Sequence, residues 1–355
     1  MKPFYTLLLE SFRGLKSQLI FGITLGLSLL VAFIFLSIGF DDKGMTFFFG
    51  LTGFEDESLA QNGLARAFVY KELFSVGIAG VWLTWIAIIL ALISCAPIYP
   101  NTMTEGGAGM VMTKGVSRLQ IFVAKFVGSL FFVLIQVGLF VLIVFVAFKW
   151  RLGSWHPQLF WYVPAVLLVF VSLYSFLVLV AVKTRSVLTA LLLTFLVWGI
   201  SALLGFSEEK MRAFMVMKER GFFAQAQSER VGSDEESLEP STDGPEAPEE
   251  EEETQSVNAF EENDDGTLER VHGVVKTIHS FFPKNGPIMD EAKKRLLLEE
   301  VDHLVARGGD DVEEMAMRKD LIDHGNSSFY TIWSSVLFAA VMLSLAAFSF
   351  CRRDY

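Results

Sequence analysis

Residues 119–148 read LQIFVAKFVGSLFFVLIQVGLFVLIVFVAF and contain a single charged side chain, that of Lys125. A helix that crosses about 30 Å of hydrocarbon needs roughly 20 apolar residues, so this stretch is long enough to span a bilayer with some tilt. Its apolar residues run continuously and do not alternate with polar ones, which favours a helix over a strand of a barrel. The stretch therefore predicts a membrane-spanning helix.

Five further apolar stretches have the same character. Together they predict an all-α membrane protein with six transmembrane helices, an interfacial helix at the N-terminus, and a large external insert between the fifth and sixth helices. The predicted spans are residues 18–40, 75–98, 119–148, 159–182, 186–206 and 329–350. The first span is expected to remain as an anchor, because its apolar core is too long for a signal peptide and no small-residue cleavage site follows Phe40.

Charge is unevenly distributed along the chain. Residues 207–328 hold 31 acidic and 14 basic side chains, a net of −17, whereas the whole chain of 355 residues has a net charge of −11. The remainder is therefore basic, at about +6. An acidic insert lacks the positive surface that phosphate backbones require, so no nucleic-acid partner is expected.

Lysine and arginine in the short segments beside the spans predict the orientation. Ten of these side chains lie on the N-terminal side and five on the other, where acidic residues dilute them. Since positive loops are retained in the cytosol, we expect both termini in the cytosol, the insert outside, and the chain in the cytoplasmic (inner) membrane. An aromatic belt on the outer side fits this arrangement: Trp150, Trp155, Trp161 and Tyr162.

Residues 1–17 form an amphipathic pattern ahead of the first span. Phe4, Leu7, Leu8, Phe12 and Leu15 recur at helical spacing, and basic residues are available for the polar side. A basic amphipathic helix of this kind lies in the membrane interface. A simple extension of the first span is the alternative.

The insert, residues 207–328, divides into three parts. Residues 208–227 fit an amphipathic helix, whereas residues 228–267 are rich in Glu, Asp, Pro, Ser and Gly. This middle part cannot bury enough apolar area to offset its ordering entropy, so we expect it to be disordered. Helical spacing then predicts one helix from 268 to Pro283 and another over 297–305 that ends at Gly308. These helices either lie on the outer membrane face or a partner's matching loop, or pack within the subunit.

The polar segment between the second and third spans is the most informative part of the chain. From Ala96 to Lys125 it reads APIYPNTMTEGGAGMVMTKGVSRLQIFVAK. Pro97 and Pro100 are expected to end the second helix. The loop at 99–118 is too polar for lipid, so it must face water or another protein, and the predicted orientation puts it in the cytosol.

The order of residues in this loop resembles the cytosolic loop of type-two ABC exporter permeases. That family has roughly the pattern E-x-G-T-L-x-x-L-L-x-x-P-x-S-R followed by a lysine. The matching residues here are Glu105, Gly106 or Gly107, Met110 to Met112, Ser117, Arg118 and Lys125, with Gly115 and Val116 in place of the usual proline. The six-span layout, the interfacial helix and the ending at 350–355 match too. The chain is similar in particular to the branch of permeases for multicopper-enzyme maturation and gliding motility.

The resemblance covers the spans and both ends, and it implies the partners. These are two copies of a separate ABC ATPase subunit, a second permease copy or paralogue in a dimer, and the lipid bilayer. A short helix in the loop would press into a cleft of the ATPase, with Glu105 as a charge contact and Ser117 and Arg118 fixing the helix geometry. The implied coupling residues are Met103, Glu105, Gly106, Gly107, Met110, Ser117 and Arg118. The ordinary alternatives are a solvated acid for Glu105 and a positive-inside anchor for Arg118.

The sequence has no motif for catalysis or for a cofactor. None of G-x-x-x-x-G-K-[ST], H-E-x-x-H, C-x-x-C or G-x-S-x-G occurs, so the chain is not expected to be an enzyme and ATP hydrolysis is expected in a partner. His272 and His279 are too far apart to chelate one ion without other ligands, so no metal site is predicted despite the copper link of the resembled branch.

Polar residues inside the spans are few. The spans carry no acidic residue at mid-depth, which disfavours a proton-coupled carrier. Gln136, Ser172 and Tyr174 are mid-span polar side chains. They either line a transport pathway or, as we favour, form hydrogen bonds between helices.

Two functions remain open from the sequence. The first is a transporter subunit that couples ATP hydrolysis to export of an amphiphile or to remodelling of the cell envelope. The second is a non-transport membrane scaffold that presents the acidic insert to a partner in the periplasm.

Overall fold

The computed structural model describes residues 19–41, 44–55, 63–103, 117–208, 282–307 and 328–352, together with 210, 211, 270, 273, 274 and 277. The predictions for residues 1–17 and 228–267 lie outside the described residues, as does the centre of the loop at 99–118. The chain divides into two compact units. The first comprises Met1–Ser201 and Phe282–Tyr355, and the second is Ala202–Phe281.

Long apolar helices dominate the structure, because a helix satisfies its own backbone hydrogen bonds without water. The first helix, α1, is Leu19–Ser37. The second is composite: α2 (Gly63–Glu72), a π-helical segment (Leu73–Ile86), α3 (Ala87–Cys95) and, after a turn at Pro97, α4 (Ile98–Thr102). The remaining helices are α5 (Arg118–Leu152), α6 (Tyr162–Thr184, after a 3₁₀ turn at Pro157–Trp161), α7 (Val187–Glu208), α8 (Asn285–Arg307) and α9 (Ser328–Arg352).

Five of the described helices are long and apolar enough to cross a membrane. They are Arg66–Thr102, Arg118–Leu152, Pro157–Thr184, Val187–Glu208 and Phe329–Arg352, and the apolar part of α1, Gly22–Ser37, is shorter. The chain is therefore mostly helical and fits a multi-pass membrane protein. Helices cover five of the predicted spans, apart from Ser186 at the start of the fifth. The helix over the predicted span 75–98 begins nine residues earlier, at Arg66.

The all-α prediction is wrong for the segment between α1 and α2. Three short strands, β1 (Gly39–Asp41), β2 (Gly44–Phe47) and β3 (Thr52–Glu55), form an antiparallel sheet in the order β1-β2-β3. Met45 pairs with Phe40 on one side and with Phe54 on the other. Gly44 and Gly50 have φ values of 139° and 97°, which only glycine adopts without strain, and they let the chain turn between strands.

The helices of the first unit define two ends, which we name by their residues. The loop end holds Thr102, Arg118 and Cys351, where Arg118 on α5 meets the last turn of α9. The tryptophan end holds the other end of α5 with Trp150, Trp155 and Trp161, and there Arg151 meets the last turn of α1. A buried aromatic cluster closes this second end: Phe35, Tyr70, Phe74, Phe148 and Tyr162.

Candidate functional site

The two flanks of residues 104–116 lie close together at the loop end. Helix α4 precedes this segment, and helix α5 follows it. The buried Tyr99 hydroxyl donates a hydrogen bond of 2.9 Å to the carbonyl oxygen of Phe122. The two aromatic rings also lie 5.1 Å apart between centroids. The chain that enters the segment is therefore tied directly to the chain that leaves it.

The end of α9 joins the same place. The Phe350 ring lies 5.6 Å from that of Phe122 and 6.2 Å from that of Tyr99. Arg118 Nη1 donates a hydrogen bond of 3.2 Å to the carbonyl oxygen of Cys351. The last carbonyls of a helix lack intrahelical donors and carry partial negative charge, so a guanidinium group is a favourable partner. We call these residues the flank cluster: Tyr99, Arg118, Phe122, Phe350 and Cys351.

Ser117 fixes the first residue of α5. Its hydroxyl accepts a hydrogen bond of 3.2 Å from the backbone N–H of Gln120, and the Gln120 side chain accepts one of 3.2 Å from the backbone N–H of Ser117. This reciprocal capping box satisfies two donors that a helix start would otherwise leave unpaired. Helix α5 therefore begins at a defined position, immediately beside Arg118.

The structure describes three of the predicted coupling residues. Met103 is buried at the end of α4, where its N–H bonds to the carbonyl oxygens of Tyr99 and Pro100. Ser117 and Arg118 lie at the start of α5 with the contacts given above. Glu105, Gly106, Gly107 and Met110 lie outside the described residues, so their roles stay predictions.

The mid-span polar residues each bond to another helix. Gln136 Nε2 donates to Ser28 Oγ at 3.3 Å and joins α5 to α1. Tyr174 Oη lies 2.8 Å from Ser129 Oγ and joins α6 to α5. These are contacts of the helix–helix kind that the sequence favoured. A role in lining a pathway stays a prediction.

The sequence did not predict that a helix of the insert begins inside the helical bundle. Ser172 Oγ donates to Asn285 Oδ1 at 3.4 Å, and Asn285 is the first residue of α8. Because Ser172 lies near the middle of α6, α8 begins about halfway along the bundle. Helix α8 therefore fits the alternative in which a helix of the insert packs within the chain. Its buried side chains recur at helical spacing: Ile288, Met289, Ala292, Leu296 and Leu297.

Serines and one tyrosine surround the residues just before α8. Ser201 Oγ donates to Pro283 O at 2.5 Å, and the backbone N–H of Lys284 donates to Ser335 Oγ at 3.3 Å. The fully buried Lys284 ammonium lies 3.9 Å from the centroid of the Tyr330 ring, a cation–π distance. Residues 283–285, at the start of α8, are therefore hydrogen-bonded to side chains of α6, α7 and α9.

Metal binding has no candidate in the described part of the chain. Among the residues the structure describes, no group of three or more His, Cys, Asp or Glu could hold an ion. The side chains of His272, His279, His303 and His324 lie outside that part.

Comparison with known proteins gives no relative. No family model matches the chain, and no curated protein or solved structure matches it either. The proposed function therefore rests on the residues and on their geometry.

Proposed function

We propose that this chain is the membrane-spanning subunit of an ATP-driven ABC exporter. In this proposal, a separate ATPase subunit hydrolyses ATP, and the permease couples that hydrolysis to export of an amphiphile or to envelope remodelling. The flank cluster supports the proposal most directly. Any displacement of residues 104–116 would reach α9 through Arg118 and through the packed rings of Tyr99, Phe122 and Phe350.

In the proposed topology the loop end faces the cytosol. The six crossings are α1, the composite helix, α5, α6, α7 and α9, so that both termini are cytosolic. Basic side chains at the loop end agree with the positive-inside rule, since Lys183 and Arg185 end α6 and Arg352 ends α9. The aromatic side chains at the tryptophan end fit the outer interface.

Because the first turn of α5 is capped, a displacement of residues 104–116 would be passed along the whole helix. Ser117 and Gln120 hold the first turn together, so α5 would respond as one continuous helix of 35 residues to a push on residues 104–116. Arg118 would pass the same displacement to the last turn of α9. Two ATPase copies would drive two such permeases, this chain and a second copy or a related one.

The mid-span hydrogen bonds offer polar groups for a pathway. Gln136, Ser172 and Tyr174 are buried, and each is joined to another helix by one such bond. A hydrogen bond of this kind contributes only about 0.5–1.5 kcal/mol net, so helix separation during transport would readily expose these groups to a cargo. We propose them as pathway-lining residues in that separated arrangement.

Purification from the native host tests the coupling loop. A tagged wild-type chain should co-purify with an ATPase whose activity is measurable in the complex. Glu105→Arg should abolish that co-purification, because it reverses the charge expected to meet the ATPase cleft. Glu251→Arg is the matched control: it makes the same substitution within the acidic run of the insert, and it should leave the complex intact.

The scaffold alternative predicts the opposite dependence. A scaffold that presents the acidic insert would keep its partner after deletion of residues 103–112 and would lose it after deletion of residues 228–267. An ATPase that stays bound to the Glu105→Arg chain would also contradict the proposed coupling.

A further inference from the structure

A cleft of about 260 Å³ opens between α6, α8 and α9. Its walls include Ala165 and Leu168 of α6, Ile288 and Ala292 of α8, and Ile332 of α9. These side chains offer no polar group, so the interior favours a hydrocarbon chain. The volume is slightly below the roughly 300–1,000 Å³ of pockets that enclose drug-sized ligands. The cleft therefore suits part of a ligand, such as one acyl chain.

The rim of the cleft carries one positive and one negative side chain. Arg295 Nε donates a hydrogen bond of 3.1 Å to Glu291 Oε1. The Arg295 guanidinium also lies 4.1 Å from the centroid of the Trp161 ring. Its Nη nitrogens make no hydrogen bond to the described residues. Because the Arg295 side chain is 41% exposed, its outer edge is accessible to a ligand at the rim.

The rim lies at the tryptophan end, where the aromatic side chains mark a membrane interface. Along α8, Asn285 lies beside the middle of α6, and Arg295 lies beside Trp161, just before the first residue of α6. The charged rim is therefore at headgroup level, and the apolar walls lie deeper, at the level of acyl chains. A lipid would meet matching chemistry at both depths.

We propose that the cleft binds a zwitterionic phospholipid with a primary-ammonium headgroup. Its phosphate would accept hydrogen bonds from the Arg295 Nη edge, and its ammonium would donate to the Glu291 carboxylate. One acyl chain would fill the space beside Ala292. An anionic headgroup without an amine has no N–H⁺ to donate to Glu291, and neither has a quaternary ammonium. The proposal depends on the membrane placement of the tryptophan end and not on ATPase coupling.

Lipid retention by the purified full-length chain tests the proposal. The probes are phosphatidylethanolamine and phosphatidylcholine with identical acyl chains, added to delipidated protein and counted by native mass spectrometry. The wild-type chain should retain phosphatidylethanolamine roughly tenfold more strongly, as expected for one charge-assisted hydrogen bond. Glu291→Gln should remove the preference, since only the carboxylate distinguishes the two ammonium groups. Arg295→Gln should reduce retention of both lipids, because they share the phosphate, and Ala292→Phe should reduce retention of both by filling the cleft.

Lys149→Gln is the matched control. Lys149 lies over the Trp155 ring at 5.3 Å, a cation and tryptophan at the same end but away from the cleft, so lipid retention should not change. If Ala292→Phe does not fold, Glu291→Gln and Arg295→Gln decide, since both alter side chains at the rim. Equal retention of the two lipids by the wild-type chain would overturn the headgroup assignment, as would stronger retention of phosphatidylglycerol. Unchanged retention in a folded Ala292→Phe variant would overturn the cleft.

Discussion

At each end of the helical bundle, an arginine of α5 donates hydrogen bonds to the last turn of another helix, but the surroundings of the two arginines differ. At the tryptophan end, Arg151 donates two hydrogen bonds, of 3.3 and 3.0 Å, to the carbonyl oxygen of Leu36 in the last turn of α1. Its guanidinium also lies near the rings of Phe49 and Trp150. At the loop end, Arg118 donates a hydrogen bond of 3.2 Å to the carbonyl oxygen of Cys351 in the last turn of α9. Among the described residues, the first arginine thus joins α5 to α1 beside two aromatic rings, and the second joins α5 to α9.

This difference indicates that the two ends of the bundle have different mechanical roles. The tryptophan end, with its sheet and its buried aromatic cluster, provides a fixed reference. At the loop end, Arg118 joins the start of α5 to the last turn of α9, so we expect a force applied ahead of α5 to reach α9 through this arginine. Six substitutions, with two controls, test whether the ends differ in this way.

Replacing Arg151 should lower the free energy of unfolding more than any other of these substitutions, and replacing Arg118 should lower it less. Arg151→Met should lower the free energy of unfolding by about 2–3 kcal/mol, since a charged donor of two hydrogen bonds is lost. Arg118→Met should lower it by about 1–1.5 kcal/mol. Unfolding of the purified protein in mixed micelles measures both. Equal losses would mean that the two ends are anchored alike.

Gly39→Ala should test the packing around Arg151. A Cβ atom at Gly39 would lie 2.5 Å from Arg151 Nη1, so the guanidinium would have to shift from Leu36. We expect a loss of about 1–2 kcal/mol in the free energy of unfolding. Gly138→Ala is the control, because a Cβ atom there would meet nothing within 4 Å. A stable Gly39→Ala variant would show that the arginine is not tightly held.

Two buried tyrosines, Tyr99 at the loop end and Tyr70 at the tryptophan end, allow the same substitution to be compared at both ends. Tyr99→Phe removes a hydrogen bond of 2.9 Å to Phe122 O and should lower the free energy of unfolding by about 1 kcal/mol. Tyr70→Phe removes a contact of 3.5 Å to Phe35 O and should cost less than about 0.5 kcal/mol. The ring packing is kept in both variants. The reverse order of losses would contradict the role given to the flank cluster.

Ser117→Ala should have a small effect and the most local one. Loss of the cap should cost about 0.5–1 kcal/mol and loosen the first turn of α5. Hydrogen exchange should therefore accelerate at the amides near Gln120 and not at the tryptophan end. Ser186→Ala, at the start of α7, should change less, since its hydroxyl accepts from Thr189 N at 3.4 Å. Uniform acceleration along α5 would indicate that capping is not local.

The five long apolar helices could be predicted from sequence because continuous apolar runs leave few alternatives in lipid. The exception is the start of the composite helix, whose membrane-length part begins at Arg66 and not at Ser75. Arg66, Lys71 and Glu72 made this stretch look water-facing, yet Lys71 is fully buried in the structure. Its burial depends on tertiary neighbours that hydropathy does not contain.

The sheet and the start of α8 were missed for a related reason. The segment at 39–55 is too short and too rich in glycine for a clear strand pattern, and the sheet is specified by pairing across its turns. Asn285 was read as part of an external insert because it is polar. Its burial follows from Ser172 on a distant helix, which no local pattern reveals.

The candidate site was predicted in part. The sequence predicted that Ser117 and Arg118 fix the geometry of a coupling helix. In the structure they bond to Gln120 and Cys351, and the coupling role stays a prediction. Tyr99, Phe122 and Phe350 were not singled out, because aromatic residues in apolar runs are indistinguishable from lipid-facing ones. Only the fold brings these three rings together.

Cysteine labelling at Glu105 tests the central claim most directly. The background would carry Cys95→Ala and Cys351→Ser; Cys95 is buried, and Arg118 bonds only the backbone carbonyl at 351. A membrane-impermeant maleimide should label Glu105→Cys in inverted membrane vesicles and not in intact cells, with Glu251→Cys showing the reverse pattern. Labelling of Glu105→Cys in intact cells would put the loop outside, where no ATPase subunit could act on it.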